Sequence, residues 1–222
     1  MTPIHEARLC DILTTARRAS DMLPEQLSYL ARIFQDAHEH APGGLSIEVG
    51  TRKGGSAWLM LAMLREMYDD ATRPMLFTVD PYGGKPYVGG DTIEPGLYGR
   101  NEYKAARTWL AEFTEHAHFY MTAKTFFKRL LEEDYYLRGE EHVIDQLTFV
   151  LLDGEHAAES ILNELAEVVP HMRVGGVVLI DNADKDALTR PGVEASVRDG
   201  WDSLYIHAST PGAAQMIVRR RA

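Results

Sequence analysis

The sequence predicts an α/β fold: a doubly wound, mostly parallel sheet of seven strands, with helices on both faces and an antiparallel hairpin at its C-terminal edge. Short apolar runs such as residues 149–152 (FVLL) and 177–180 (VVLI) lack the alternation of polar and apolar positions expected of a half-exposed strand. Such runs are typical of parallel strands that are buried on both faces. They alternate along the chain with segments of helical periodicity, and this order of elements places helices over both faces of a parallel sheet.

A helical segment precedes the first strand. Its apolar residues fall at helical spacing, in two groups: Leu9, Ile12 and Leu13, then Leu27, Leu30, Ile33 and Phe34. Pro24 suits the first turn of the second helix. Residues 1–40 are therefore predicted to form a helical cap. Because no linker, repeat or low-complexity tract divides the chain, we expect one domain over residues 1–222.

The other elements follow from short apolar runs and turn residues. The predicted strands are residues 45–49, 75–79, 118–121, 149–152, 177–180, 204–208 and 214–218. The predicted helices between them are residues 56–68, 101–113, 125–133 and 158–169. The turn Thr210-Pro211-Gly212 joins the last two strands into the antiparallel hairpin. Residues 82–100 are rich in glycine without an apolar period, and are predicted to form a functional loop.

Charge and composition limit the class of function. Lys and Arg number 23 against 33 Asp and Glu, a net charge of −10, which repels phosphate backbones and argues against a nucleic-acid partner. The lone Cys10 cannot form an internal disulfide, and no apolar run has the length of a membrane span or a signal peptide. We therefore expect a cytoplasmic protein that binds a small molecule, without a membrane partner. Whether it forms a homo-oligomer is left open by the sequence.

A glycine-rich turn separates the first predicted strand from the helix that follows it. Residues 48–56 read EVGTRKGGS, and glycines there let the backbone approach a ligand closely, while the helix N-terminus offers free N–H groups. Asp80 ends the next strand, where an acidic side chain can accept hydrogen bonds from ribose hydroxyls. A capping role before Pro81 is an equal alternative for Asp80. Together the turn and Asp80 predict a nucleoside-binding site.

Polar side chains also end two later apolar strands. Asp153 follows residues 149–152, and Asp181-Asn182 follow residues 177–180. Neighbouring strands lie about 4.8 Å apart, so these side chains would emerge together at the carboxyl edge of the sheet. A ligand set made only of oxygen suits Mg²⁺, Ca²⁺ or Mn²⁺. The alternative is that each aspartate caps the turn or helix after it; three such groups at two strand ends favour the metal interpretation.

His156 lies three residues after Asp153. Histidine has the side-chain pKa nearest neutrality, so beside a metal-bound hydroxyl it could act as general base. A surface or capping role is the commoner one for a lone histidine in such a loop. The neighbouring candidate ligands favour the catalytic interpretation.

Together these residues resemble the class I S-adenosylmethionine-dependent methyltransferases, and in particular the metal-dependent O-methyltransferases that act on small molecules. The segment from Ile47 to Ser56 resembles their first motif, Thr78-Val79-Asp80 their second, and the segments around Asp153 and Asp181 their metal-binding half. The resemblance implies a Rossmann-like fold and S-adenosylmethionine as cofactor. It assigns cofactor binding to Glu48, Gly50, Thr51, Gly55, Ser56, Asp80 and Asp153, the metal to Asp153, Asp181 and Asn182, and the proton acceptor to His156.

Two subgroups of that family compete for the closer match. Catechol-type enzymes use Asp, Asp and Asn as metal ligands, as at Asp153, Asp181 and Asn182, but have a lysine where this chain has His156. Macrolide-sugar enzymes have the pattern DGxH, as at residues 153–156, but usually have an acidic pair where this chain has Asp181-Asn182. The acceptor hydroxyl therefore stays open. Aromatic candidates for its pocket are Trp58, Tyr82, Tyr87 and Tyr98.

Two other functions remain open at this stage. A nicotinamide-dependent oxidoreductase also needs a glycine-rich turn and an acid at a strand end, although the first turn lacks GxGxxG. A non-catalytic cofactor-binding partner subunit is the second alternative. The presence of Asp153, His156, Asp181 and Asn182 argues against it.

Overall fold

The computed structural model describes residues 2–82, 99–132, 135–137, 140–142, 146–197 and 199–221. The strands are β1 (Leu45–Val49), β2 (Leu76–Val79), β3 (His116–Phe119), β4 (Tyr135–Leu137), β5 (Glu140–His142), β6 (Leu147–Leu152), β7 (Met172–Ile180), β8 (Trp201–Ile206) and β9 (Gln215–Arg220). The helices are α1 (Glu6–Ala16), α2 (Pro24–His40), α3 (Gly55–Met67), α4 (Arg100–Leu110), α5 (Ala123–Glu132), α6 (Ala158–Val168) and α7 (Thr189–Ser196), and a 3₁₀ turn spans Val169–His171.

Seven strands form the central sheet in the order β3-β2-β1-β6-β7-β9-β8. The first five of these are parallel to their neighbours, whereas β9 runs antiparallel to β7 and β8 antiparallel to β9. The predicted sheet is confirmed, including its antiparallel C-terminal edge. β4 and β5 pair only with each other in a small antiparallel ribbon that the sequence pattern does not predict.

The strand order reverses beside β1, which lies between β2 and β6. In an open parallel sheet, such a reversal leaves a crevice outside the carboxyl ends of the strands. The glycine-rich turn after β1 and the polar ends of β2, β6 and β7 all reach this edge. The topology therefore brings the predicted site residues together at the carboxyl edge of the sheet.

Helices cover both faces of the sheet, as predicted. Alternate residues of the central strands belong to different layers: Leu151 and Leu179 pack with α2 and α3, whereas Val150 and Val178 pack with α5 and α6. This arrangement explains why these strands are apolar at every position: both of their faces are buried.

The N-terminal helices lie on the first of these layers. α1 packs against α3, and α2 packs against β6 and β7. Fully buried His38 of α2 hydrogen-bonds the Tyr68 hydroxyl at 2.9 Å and the Ser46 hydroxyl at 3.0 Å. Burial lowers the pKa of His38 to about 3, so its ring is neutral and serves as a structural tie.

Two of the differences from prediction concern β3 and α7. β3 begins at His116, two residues before the predicted strand, because its register is set by pairing with β2, from Leu76 with His116 to Val79 with Phe119. α7 is absent from the prediction because Pro191 and Gly192 lie in its first turns.

Among the helices of the described residues, none has the length and apolar character needed to cross a bilayer.

Candidate active site

A cleft of about 1230 Å³ opens at the carboxyl edge of the sheet. Its walls include the glycine-rich turn, the ends of β2, β6 and β7, the start of α6, and the connection between α1 and α2. Of the predicted site residues, all but Glu48 line it: Gly50, Thr51, Gly55, Ser56, Asp80, Asp153, His156, Asp181 and Asn182.

The glycine-rich turn is tightly constrained. Gly50 has φ +93°, and a Cβ atom there would overlap the carbonyl oxygen of Asp153, so only glycine fits between the ends of β1 and β6. A Cβ on Gly55 would overlap the backbone of Ser20. Gly55 therefore has a packing role in addition to its position on the cleft wall. The N-terminal helical cap, at Ser20, packs directly against the turn.

Glu48 lies behind the cleft wall rather than on it. It is fully buried, and its Oε1 accepts a 2.5 Å hydrogen bond from the Ser56 hydroxyl. The buried Thr51 hydroxyl is close enough to Glu48 to lower its pKa as a hydrogen-bond partner, a smaller effect than that of burial. Burial, and secondarily the charge of Asp80, raise the pKa of Glu48 to about 8. Glu48 therefore contacts two residues of the cleft wall, Ser56 and Thr51.

Glu48 should make the protein less stable as pH rises. Between its ordinary value of 4.5 and about 8, the folded state keeps a proton on Glu48 that the unfolded state has lost, so stability falls over this range. From pH 6 to 8, the Glu48→Gln variant should lose about 2 kcal/mol less free energy of unfolding than the wild type, at up to about 1.36 kcal/mol per pH unit. Urea denaturation at both pH values measures this. Exposed Glu159→Gln is the control and should follow the wild type; an identical slope in Glu48→Gln would contradict the assignment.

Asp80 is buried at the end of β2, and both of its carboxylate oxygens accept backbone hydrogen bonds. The N–H of Arg52 donates to Oδ2 and the N–H of Tyr82 donates to Oδ1, each at 2.8 Å. The capping contact considered for Asp80 is therefore present. Since Asp80 also lines the cleft, its remaining lone pairs are available to a ligand, and the two roles are compatible.

Asp153 and Asp181 lie at the ends of the neighbouring strands β6 and β7. Their carboxyl groups are within hydrogen-bonding reach of each other. Burial, and then the charge of Asp181, raise the pKa of Asp153 well above its ordinary value, which favours a proton on Asp153 in its hydrogen bond with Asp181. The pair needs a proton or a cation between its two carboxyl groups.

Two buried amides that sequence analysis missed hold Asp181 in place. Gln26 of α2 donates from Nε2 to Oδ1 at 2.9 Å and to Oδ2 at 3.2 Å, and Gln215 of β9 donates from Nε2 to Oδ1 at 2.7 Å. Gln26 also accepts the N–H of Leu23 at 2.8 Å. Because Oδ1 takes the two shortest amide bonds, Oδ2 is the oxygen of Asp181 better placed to bind a ligand.

Asn182 adopts a left-handed conformation, φ +52°, which turns its amide toward the cleft rim. Its Nδ2 donates to the Gly212 carbonyl at 2.7 Å, and its Oδ1 accepts from the Lys185 ammonium at 2.8 Å. The amide oxygen thus already faces a cation. Among the described residues, no three His, Cys, Asp or Glu side chains converge as a ligand set; the candidate set here is two carboxyls and one amide.

For Asp181, the contacts of the described residues are not those of a helix or turn cap. The first N–H of α6, on Ala158, donates to Asp186 at 2.9 Å. The hydrogen bonds of Asp181 come from side-chain amides, and its coupled partner is Asp153. Asp186, which the sequence pattern does not single out, is the capping residue.

His156 lies on the cleft wall beside this cluster. Burial, and then the positive charge of Lys185, lower the pKa of His156 to about 4. Its imidazole is therefore neutral near pH 7, with one ring nitrogen free to accept a proton. The structure thus brings together Asp153, His156, Asp181 and Asn182, as predicted, and adds Lys185.

The aromatic pocket prediction is wrong for two of its residues. Trp58 packs edge-on against Trp109 and Phe113 beneath α4, and Tyr82 is buried with its hydroxyl donated to the Arg52 carbonyl at 2.8 Å. Neither side chain lines the cleft. Tyr87 and Tyr98 lie outside the described residues.

Comparison with known proteins agrees with this geometry. Residues 47–183, more than half of the chain, match the family model described as a methyltransferase domain. No curated protein matches the chain.

Solved structures share the fold. An O-methyltransferase from Bacillus cereus in complex with SAH has a TM-score of 0.61 at 13% identity, with 98% of this chain and 92% of that chain covered. The O-methyltransferase TomG from Streptomyces achromogenes, involved in tomaymycin synthesis and solved with SAM, has a TM-score of 0.56 at 16% identity, with 99% and 92% covered. An rRNA methylase from Streptococcus thermophilus has a TM-score of 0.54 at 7% identity, with 91% and 98% covered.

At these identities, the likeness to solved structures concerns the fold. The family match confirms the predicted methyltransferase resemblance and decides against the nicotinamide-dependent oxidoreductase. This chain belongs to the methyltransferase domain family.

Proposed function

We propose that the chain transfers a methyl group from S-adenosylmethionine to a hydroxyl oxygen of a small molecule, assisted by a divalent cation, with Mg²⁺ preferred over Mn²⁺ and Ca²⁺. The observation that carries the proposal is the pairing of Asp153 with Asp181 next to the amide oxygen of Asn182, in the same cleft as the glycine-rich turn and Asp80. The cofactor and the oxygen acceptor are supported by the two fold neighbours named as O-methyltransferases and solved with SAH or SAM. The net charge of −10 favours a small acceptor over rRNA.

The residues present fit S-adenosylmethionine. The buried Thr51 lines the cleft, and Asp80 retains acceptor capacity toward ribose hydroxyls. The N-terminus of α3, beginning at Gly55, offers N–H groups to the carboxylate of the methionine part. Glu48 keeps the Ser56 hydroxyl oriented from behind the wall.

The residues also fit a hard divalent cation. Asp153 and Asp181 share a proton that a cation would replace, and Asn182 already directs its oxygen at the Lys185 ammonium. All three donors are oxygen, which Mg²⁺ prefers. Gln26 and Gln215 fix the orientation of Asp181 and so reduce the cost of ordering it on binding.

In the proposed reaction, the sulfonium of the cofactor supplies an activated methyl group. A cation held by Asp153, Asp181 and Asn182 would lower the pKa of the acceptor hydroxyl. The acceptor end of the cleft is formed by Asp153, Asp181 and Asn182. The cofactor end is formed by Asp80 and the glycine-rich turn. Neutral His156 accepts the hydroxyl proton on a ring nitrogen. The work of the chain is thus positioning and removal of one proton.

Calorimetric titration with S-adenosylmethionine, in the presence and absence of Mg²⁺, tests the cofactor without knowledge of the acceptor. A saturable 1:1 binding heat supports the proposal, and its absence in both conditions contradicts it. Transfer of labelled methyl to panels of catechols and hydroxylated sugars then tests the acceptor class. Tight cofactor binding without transfer to any member would instead support the non-catalytic partner subunit.

Asp80→Ala should weaken S-adenosylmethionine binding by about tenfold or more, because hydrogen bonds from ribose hydroxyls to a charged acceptor are lost. Calorimetry measures the change, and circular dichroism checks that the variant is folded. Asp80→Asn keeps an oxygen for the N–H of Tyr82 and should lose less affinity than Asp80→Ala. Wild-type affinity in Asp80→Ala would remove Asp80 from the cofactor site and leave it as a cap.

A further inference from the structure

Lys185 places a positive charge at the candidate metal site. Its ammonium lies 2.8 Å from the Oδ1 of Asn182. Lys185 also lines the same cleft as Asp153, His156 and Asp181. Neither the sequence pattern nor the family match assigns this residue a role.

The orientation of Asn182 is determined by its two contacts. The Gly212 carbonyl needs a donor and takes the amide nitrogen of Asn182 at 2.7 Å. The amide oxygen must then point the other way, toward Lys185. Asn182 therefore presents to a cation the oxygen that the proposed metal site requires.

The aspartates on either side of Lys185 accept hydrogen bonds from the backbone. Asp184 accepts the N–H groups of Gly212 and Ala214, at 2.7 and 2.9 Å. Asp186 accepts those of Ala158 and Leu188, each at 2.9 Å. Among the described residues, the polar contact that the structure gives the Lys185 ammonium is the one with the amide oxygen of Asn182.

We propose that Lys185 is the resident cation of this site, and that a divalent cation entering between Asp153, Asp181 and Asn182 must displace its ammonium from Asn182. The inference rests on the proposed function, because it takes the metal position from there. Lys185 then sets the affinity for the metal, because its charge offsets that of the Asp153–Asp181 pair and repels an incoming divalent ion. Its side chain is exposed, so it can swing away into solvent without disturbing the core.

Titration of Mg²⁺ into the purified protein, followed by calorimetry, tests this inference. Lys185→Met removes the charge and keeps an unbranched side chain, and it should bind Mg²⁺ about tenfold more tightly than the wild type, because like charges a few ångströms apart no longer oppose binding. Lys185→Arg keeps the charge and should stay near the wild-type affinity. Lys104→Met removes the same charge from exposed α4, outside the cleft, and should also match the wild type.

Equal or weaker Mg²⁺ binding by Lys185→Met would overturn the inference. Asp181→Asn separates that failure from failure of the proposed metal site. If Asp181→Asn loses Mg²⁺ binding while Lys185→Met matches the wild type, the site stands and Lys185 has no part in it. If Asp181→Asn binds Mg²⁺ as the wild type does, the metal lies elsewhere, and both proposals fail.

Discussion

Asp181→Asn should lower methyl transfer by about 10²-fold or more, and EDTA should abolish transfer by the wild type until Mg²⁺ is restored. The substitution keeps the size of the side chain but removes the negative charge that attracts a divalent cation to the end of β7. A bound cation contributes several kcal/mol to stabilising developing negative charge, and each 1.4 kcal/mol is a factor of ten in rate. Initial rates with a labelled methyl donor measure the loss.

Asp184→Asn is the matched control for this experiment. Asp184 lies three residues further along the same loop, but its carboxylate accepts the backbone N–H groups of Gly212 and Ala214. Its replacement should cost stability of about 1 kcal/mol and leave the dependence on Mg²⁺ unchanged. Full activity of the wild-type enzyme in EDTA would sink the metal proposal. The strand-end carboxyls would then act as a protonated pair.

Much of this site could be predicted because the topology converts sequence position into spatial position. Asp80, Asp153 and Asp181 each follow an apolar strand, and the carboxyl ends of parallel strands meet at one edge. Gly50 was predicted from its place in a strand-to-helix turn, and the structure shows the physical reason, the close approach to Asp153. Local patterns were sufficient for these residues.

The groups that orient the cluster could not be predicted in this way. Gln26 is 155 residues from Asp181 and Gln215 is 34 residues away, and a lone glutamine in a helix or strand carries no signal of its partner. Lys185, three residues after Asn182, resembles an ordinary surface lysine in a polar turn. Its direction depends on the hairpin that supplies the Gly212 carbonyl to Asn182.

The aromatic prediction failed for a different reason. Trp58 and Tyr82 adjoin the glycine-rich turn and the end of β2 in sequence, but side chains near a site can point away from it. Trp58 lies on the face of α3 that packs against α4, and Tyr82, at φ +48°, turns back to the Arg52 carbonyl. A residue's nearness to the site along the chain does not determine whether its side chain points into the site.

His156→Ala should reduce turnover by about 10² to 10⁴, the usual contribution of a positioned general base, and leave S-adenosylmethionine affinity nearly unchanged. The imidazole accepts a proton only when neutral, so activity should rise with pH through the His156 pKa of about 4 and stay level above it. Burial comes first among the causes of that low pKa, and the charge of Lys185 second. Wild-type activity should therefore hold from about pH 5 to neutrality.

The variant should behave differently at alkaline pH. Without His156, the acceptor hydroxyl must lose its proton to solvent, so the residual activity of His156→Ala should climb toward that of the wild type as pH rises. Exposed His5→Ala, at the start of α1 and away from the cleft, should keep the wild-type rate and profile. Normal turnover of His156→Ala at neutral pH would remove it as the base and transfer that role to hydroxide from solvent or to Lys124, whose side chain also lines the cleft. A Lys124→Met variant distinguishes these two proton acceptors. The substitution should stop the reaction if the Lys124 amine is the base, and should leave it unchanged if hydroxide is.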